Sequence, residues 1–403
     1  MTAYNEIKSN VNAVGAIDWD RRLFDELIPL PDGTSYNSYL VQGTEKTALI
    51  DTVDPSKTDV LLRNLGQLNP GHIDYIIANH AEQDHSGSIP VILQKFSDAQ
   101  VVCTAKCKDM LIDLLGIPEK QFKVVSDGEI LSIGNRTLQF IHTPWVHWPE
   151  TMVSYLREEK LLFTCDFFGS HLATSDLYVT DNAQVLQAAK RYYAEIMMPF
   201  RIPIRSNMKK LEPLDINMIA PSHGPIYREP KLIMDAYRDW ISDTVKNEVV
   251  IPYVSMHHST ARMVEYLTDA LVKRGITVKP FNLTHTDIGE LAMALVDTAT
   301  IVIGTPTVLT GPHPLAVYGA YLANALRPKL KYASVIGSYG WGGKSLDILT
   351  SMIPNIKAEL LKPVLIKGYP REEHFKALDD LADQIEQKHR EEGIIEVDEL
   401  VTE

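Results

Sequence analysis

Four side chains able to hold a metal ion crowd into one short stretch, NHAEQDHSGSIP: His80, Glu82, Asp84 and His85. The run before it, IDYIIANH, is apolar and rich in Ile, the pattern of a buried strand. The run after it, SGSIPVILQKF, reads as a turn into a helix. The carboxyl end of a buried strand is where α/β proteins place their ligands. Three further candidates lie at or just past other predicted strand tips: His147 in PWVHWPE, Asp166 in FTCDFFG and His223 in APSHGP. Each of these alone reads as a packed or hydrogen-bonded residue. With the first cluster they make four imidazoles and three carboxylates, enough for two metals sharing one bridge.

A second constellation lies in the C-terminal half. The stretch SMHHST brings Ser255, Met256, His257, His258, Ser259 and Thr260 to the start of a predicted helix. Hydroxyls and free N–H groups at a helix N-terminus can cradle a phosphate without a positive charge. Two more loops end the third and fourth strands of this half. TPTVLTGPHP carries Pro306, Thr307, Val308, Leu309 and Thr310, and GSYGWGGKS carries Ser338, Tyr339, Gly340, Trp341, Gly342 and Gly343. Glycines let a backbone approach a flat ring, and Tyr339 and Trp341 can stack on it. The three loops converge on FMN. The chain has neither G-x-G-x-x-G nor G-x-x-x-x-G-K-[ST], which disfavours a dinucleotide site and a nucleotide triphosphatase.

These residues need two kinds of scaffold. Residues 1–247 read as short strands, then helices: TALIDTV, YIIANH, AQVVCTA, TLQFIHTP, MVSYL, KLLFTCDF and NMIAPSH are the strand candidates. Several end in Asp or His, and the mixture suggests two sheets covered by helices. Residues 248–403 alternate strictly, from VVIPYV through ITVKPFNL, TIVIGTP and YASVIGSYG to KPVLIKG, with a helix after each. Such alternation predicts a five-stranded parallel sheet with helices on both faces, the flavodoxin-like, doubly wound arrangement. PKLIMDAYRDWISDTVKN, residues 230–247, reads as a helix bridging the halves.

The formal charge of −13 argues against nucleic acid or an anionic membrane as partner. No apolar run is long enough for a membrane span, and MTAYNEIKSN lacks the apolar core of a signal peptide. Three cysteines, Cys103, Cys107 and Cys165, suit a reducing compartment and read as buried thiols. A cytoplasmic protein is expected.

The order H-x-E-x-D-H, then His, Asp and His, resembles the metallo-β-lactamase-like fold, and more narrowly the flavodiiron proteins (A-type flavoproteins). HWPETM, APSHGPI and YGWGG extend the resemblance over essentially the whole chain. It implies an N-terminal αββα sandwich and a C-terminal flavodoxin-like domain. Hydrolases of the sandwich fold usually have a second His where this chain has Glu82. A carboxylate is harder and anionic, which shifts preference from zinc toward iron or manganese. The family pattern implies that His80, Glu82 and His147 hold one iron, that Asp84, His85 and His223 hold the other, and that Asp166 bridges them. Two Fe(II) bring four positive charges; the three carboxylates remove three, and a bridging hydroxide would remove the fourth. His171 in DFFGSH, with Tyr192 or Tyr193 in RYYAEIMMPF, becomes a candidate for donating hydrogen bonds or protons around the irons. Flavodoxin-type loops usually carry Gly near His258, so the flavin contacts here are expected to differ.

The family's activity is reduction of dioxygen to water or of nitric oxide to nitrous oxide, in head-to-tail homodimers or tetramers. Some members take electrons from rubredoxin; others, in methanogenic archaea, oxidise reduced deazaflavin coenzyme F-420 directly. TPTVLTGPHPLAVYGAYLANALRP and IGSYGWGG look most like the second branch, so an F-420 oxidase serving oxygen detoxification is the leading expectation. A rubredoxin-dependent oxygen or nitric oxide reductase is the alternative. A zinc hydrolase with an appended flavodoxin-like domain and a non-enzymatic electron shuttle are the competing classes.

Overall fold

The computed structural model describes residues 5–395. Two compact bodies divide the chain: one ends at Ile241 and the other starts at Ser242, with Ala194–Pro199 grouped with the second. The boundary had been expected after residue 247. The predicted bridging helix stops early, as Pro230–Trp240. Its apolar face ends at Trp240, Ser242 accepts the N–H of Thr244 in a turn, and from Lys246 the chain pairs as a strand with Thr298.

In the first body, one sheet combines antiparallel strands at one side, including Tyr39–Gln42 and Thr47–Ile50, with the parallel strands Tyr75–Ile77, Gln100–Cys103 and Phe122–Val124. A second sheet runs in the order Ile130–Ser132, Thr137–His142, Met152–Leu156, Leu161–Cys165 and Met218–Pro221. Tyr39, Val41, Ile50, Ile77 and Val102 of the first sheet meet Leu138, Phe140, Met152, Phe163 and Ala220 of the second in one core. The outer face of the first sheet packs on Leu61, Leu65, Ile92, Cys107 and Leu111 from three helices. Every residue of Met152–Leu156, Leu161–Cys165 and Met218–Pro221 is buried, as in strands covered on both faces. All three cysteines are buried and free.

The second body is a parallel sheet in the order Thr277–Asn282, Lys246–Tyr253, Thr298–Val308, Tyr332–Tyr339 and Val364–Lys367. The chain reverses direction of travel across the sheet between its first and third strands, and such a switch point opens a crevice at the carboxyl ends. This is the flavodoxin-like arrangement. The third strand runs further than expected. It pairs with Tyr332–Tyr339 as far as Pro306, and Thr307 and Val308 extend it by folding back as a hairpin onto Gly311–Pro312. No helix among the described residues is long and apolar enough to cross a membrane.

Candidate metal centre and flavin loops

The first body gathers its polar side chains where its strands stop. His80 follows the Tyr75–Ile77 strand, and Asp84 and His85 lie on the short helix Gln83–Ser86 after Glu82. Asp51 shapes this approach. It sits at φ +50°, and its carboxylate accepts the main-chain N–H of Asn79 at 2.8 Å and the side-chain amide at 2.9 Å. Asp166 follows Leu161–Cys165, where the pairing with Met218–Pro221 slips between Phe163 and Cys165. Cys165 itself has φ +51°. A bulge of this kind re-aims the next side chain and is common beside functional sites.

The result is two trios with one shared carboxylate. His80 and His147 place Nε2 at 3.1 and 3.2 Å from Glu82 Oε2, and at 3.4 and 3.5 Å from Asp166 Oδ2. On the other side His223 Nε2 is 3.2 Å from Asp84 Oδ2 and 3.4 Å from Asp166 Oδ1. His85 Nε2 lies 3.3 Å from Asp84 Oδ1 and 2.9 Å from Asp166 Oδ1. Thus Asp166 turns one oxygen to each trio. Such separations match atoms arranged about a common ion at about 2.0–2.2 Å. Both oxygens of Asp84, Oδ2 of Asp166 and both ring nitrogens of His85 are buried without a hydrogen-bond partner. Unpaired buried polar atoms are costly. A set of this composition fits metal cations.

The charges hold one another in place. Burial opposes charge on His147 and His223. The Asp166 carboxylate, with Glu82 beside His147 and Asp84 beside His223, nevertheless raises them to about 9 and about 10. Asp166 is held well below the usual carboxylate range, against its burial, by His85, His147 and His223. Burial, then the Asp51 and Asp166 carboxylates, push the Cys165 thiol up.

Around this centre, Tyr192 donates its hydroxyl to Asp166 Oδ1 at 2.8 Å. Burial and the Asp166 charge push its pKa well above the ordinary value, so it stays a donor. The ring of His171 lies 4.7 Å from that of His223, and its Nδ1 bonds Thr34 Oγ1 at 2.8 Å. Burial, then the charge on His223, hold His171 neutral. Tyr193 does not join them. Its hydroxyl donates to the Trp240 carbonyl at 3.3 Å and its ring packs 5.5 Å from Tyr237, so that candidate is corrected to a packing role. Sequence reasoning missed three partners of the histidines. Glu150 Oε1 sits 2.7 Å from His80 Nδ1, the Ser35 carbonyl accepts from His223 Nδ1 at 2.6 Å, and Thr34 holds His171. Only Glu150 had a signal, a carboxylate three positions past a candidate ligand.

In the second body the three flavin loops end adjacent strands, but they are mostly open. Met256, His257, His258, Leu309, Thr310, Gly340, Trp341, Gly342 and Gly343 are exposed, and Ser255, Ser259, Thr307, Val308, Ser338 and Tyr339 half-buried. Pro306 and Thr260 are buried. Thr260 Oγ1 has no partner, and it lies in the first turn of the helix Ser259–Val272. Ser255 Oγ accepts the N–H of Ala261 at 3.1 Å. His258 adopts φ +61°, the left-handed region that favours glycine. The position thus keeps glycine's backbone conformation with a larger side chain. An orphaned hydroxyl and a helix N-terminus at the switch point fit a phosphate-bearing flavin.

Residues 34–224 match the family described as ODP family beta lactamase. A nitric oxide reductase of Moorella thermoacetica is 36% identical over 362 residues, 88% of this chain and 90% of that protein. The solved rubredoxin oxygen:oxidoreductase of Desulfovibrio gigas superposes with a TM-score of 0.93 at 29% identity, covering 96% of this chain and 99% of that one. The flavodiiron protein of Giardia intestinalis gives 0.90 at 28% identity, covering 96% and 97%. The fold and the likeness together define a two-domain oxidoreductase. The chain belongs to the flavodiiron proteins, whose cofactors are FMN and a non-haem diiron site.

Proposed function

We propose that this flavodiiron oxidoreductase reduces dioxygen to water with electrons relayed through FMN, and that reduced F-420 delivers those electrons. The observation that carries the reading is Asp166, with one oxygen toward His80, Glu82 and His147 and the other toward Asp84, His85 and His223. The two trios would each hold one iron. An iron pair would supply two electrons together, half of the four that reduction of dioxygen to water takes, and the other two would arrive through FMN. Glu82 favours iron over zinc, which weighs against a hydrolase. Tyr192 anchors the bridging carboxylate, and neutral His171 presents an unpartnered Nε2 beside His223. In the second body Ser255, Ser259 and Thr260 would hold the FMN phosphate, with Thr307 to Thr310 and Ser338 to Gly343 around the ring. A head-to-tail homodimer would set the flavin of one subunit against the irons of its partner.

The likeness to a protein named nitric oxide reductase favours nitric oxide as a second substrate reading, and the likeness to one named rubredoxin oxygen:oxidoreductase favours rubredoxin as a second donor reading. Oxygen uptake by the iron-loaded, FMN-containing protein separates them. Consumption of one O₂ per two reduced F-420, without peroxide, is the expected result. Uptake only after rubredoxin is added would replace the donor. Turnover of nitric oxide without oxygen uptake would replace the substrate.

A further inference from the structure

Glu150 is buried at the point where the chain leaves His147 and enters the strand Met152–Leu156. Its Oε1 accepts twice, from His80 Nδ1 at 2.7 Å and from the Ala81 N–H at 3.0 Å. A carboxylate only accepts, so Nδ1 carries the proton and Nε2 is left for an ion. The position is fixed from behind. Thr104 donates its hydroxyl to the Glu150 carbonyl at 2.9 Å while capping the helix Ala105–Leu115 through the Cys107 N–H. The other oxygen, Oε2, is buried without a partner, and Glu150 lines a cavity of about 200 Å³ with Thr104, His142 and Thr151.

The other trio is held differently. The partners of His223 Nδ1 are neutral, the Ser35 carbonyl at 2.6 Å and Thr34 Oγ1 at 3.4 Å, and His85 Nδ1 has no partner. A carboxylate behind an imidazole raises its strength as a ligand and fixes its orientation. It also adds charge. Glu82, Asp84 and Asp166 leave one charge of a divalent pair unmatched, and Glu150 is a fourth carboxylate that bonds a histidine of the His80 half directly, whereas Asp51, the carboxylate near His85, bonds Asn79 instead.

We infer that Glu150 is a positioning residue that makes the His80–Glu82–His147 half of the centre the tighter one, and the half that keeps the higher oxidation state. The inference rests on the two-iron reading above. Its test uses the FMN-containing full chain, stripped of metal by a chelator and titrated anaerobically with Fe(II). Mössbauer spectroscopy counts the two positions separately, and a redox titration gives their potentials. The wild type is expected to bind two ions with unequal affinity. Glu150→Gln, which keeps the shape and loses the charge, is expected to weaken one position by about 10–100-fold, to leave the other unchanged, and to move the potential of the weakened position to a more positive value. Glu150→Asp should restore the potential more than it restores the affinity.

Wild-type affinity at both positions in Glu150→Gln would overturn the inference, as would an equal loss at both. Should Glu150→Gln fail to fold, the wild type decides. One equivalent of Co(II) should fill one half and show a paramagnetically shifted imidazole N–H that exchanges slowly with solvent. An equivalent spread evenly over both halves would overturn the inference. Fewer than two ions bound by the wild type would instead overturn the two-iron reading, and this inference with it.

Discussion

His80 and His85 are at most 1% exposed, whereas Trp341 is 75% exposed. The two regions belong to one protein and differ in what they ask of their residues. The candidate metal centre would depend on the identities of seven side chains, five of whose atoms are buried without a partner. The flavin loops depend on backbone: a helix start, a hairpin and a left-handed His258, with Thr260 as the orphaned hydroxyl. A change of one side chain should therefore be severe in the first region and graded in the second.

The sharpest break of that comparison is Asp166→Asn. It removes the carboxylate shared by both trios, and iron content should fall well below two per chain, with affinity down by about a hundredfold or more and oxygen uptake lost; metal analysis and an oxygen electrode read both. Next comes pH. His147 and His223 titrate near 9 and near 10 without an ion, so at neutral pH each carries a proton that metal must displace. Affinity should fall as pH is lowered, by about tenfold per pH unit for each proton released. Co(II) titrations between pH 7 and 8 should show that slope, while FMN affinity over the same interval stays nearly flat. An equal slope for both would break the comparison.

A smaller effect is expected for Tyr192→Phe, which loses a hydrogen bond to a charged group. About 1.5–3 kcal/mol is at stake, roughly ten- to a hundredfold in kcat, with iron content retained. Tyr193→Phe, one position along, should leave kcat within about twofold, because its hydroxyl donates to a main-chain carbonyl at 3.3 Å and not to Asp166. Thr260→Ala should weaken FMN by about fivefold, the worth of one neutral hydrogen bond, measured from flavin fluorescence.

The same contrast explains what was legible in the sequence. His80, Glu82, Asp84, His85, His147, Asp166 and His223 could be read because metal chemistry demands those residue types. Ser35 could not, since it serves His223 through a main-chain carbonyl that any residue carries. Nor could Tyr192 be told from Tyr193. Successive helical residues point about 100° apart, and the pattern does not fix which one faces Asp166. The strands and their alternation were visible because burial imposes a period on them. The end of the Pro230–Trp240 helix was not, because SDTVKN holds nothing that stops a helix outright until strand pairing takes it. The left-handed His258 is the plainest gap between the two: the residue type disguises a backbone shape that glycine would have announced.

The shared carboxylate also bears on how the protein survives in a cell short of iron. The candidate ligands come from four separate strand ends, so ions bound among them would tie together segments from His80 to His223. Without the ions, protons on His147 and His223 would still offset the carboxylates, but the unpartnered atoms of Asp84 and His85 would be left buried, so the rim would open more readily while the core stayed formed. Limited proteolysis should then cut the ion-free chain first in these rim loops, making iron supply a determinant of the protein's lifetime as well as of its activity.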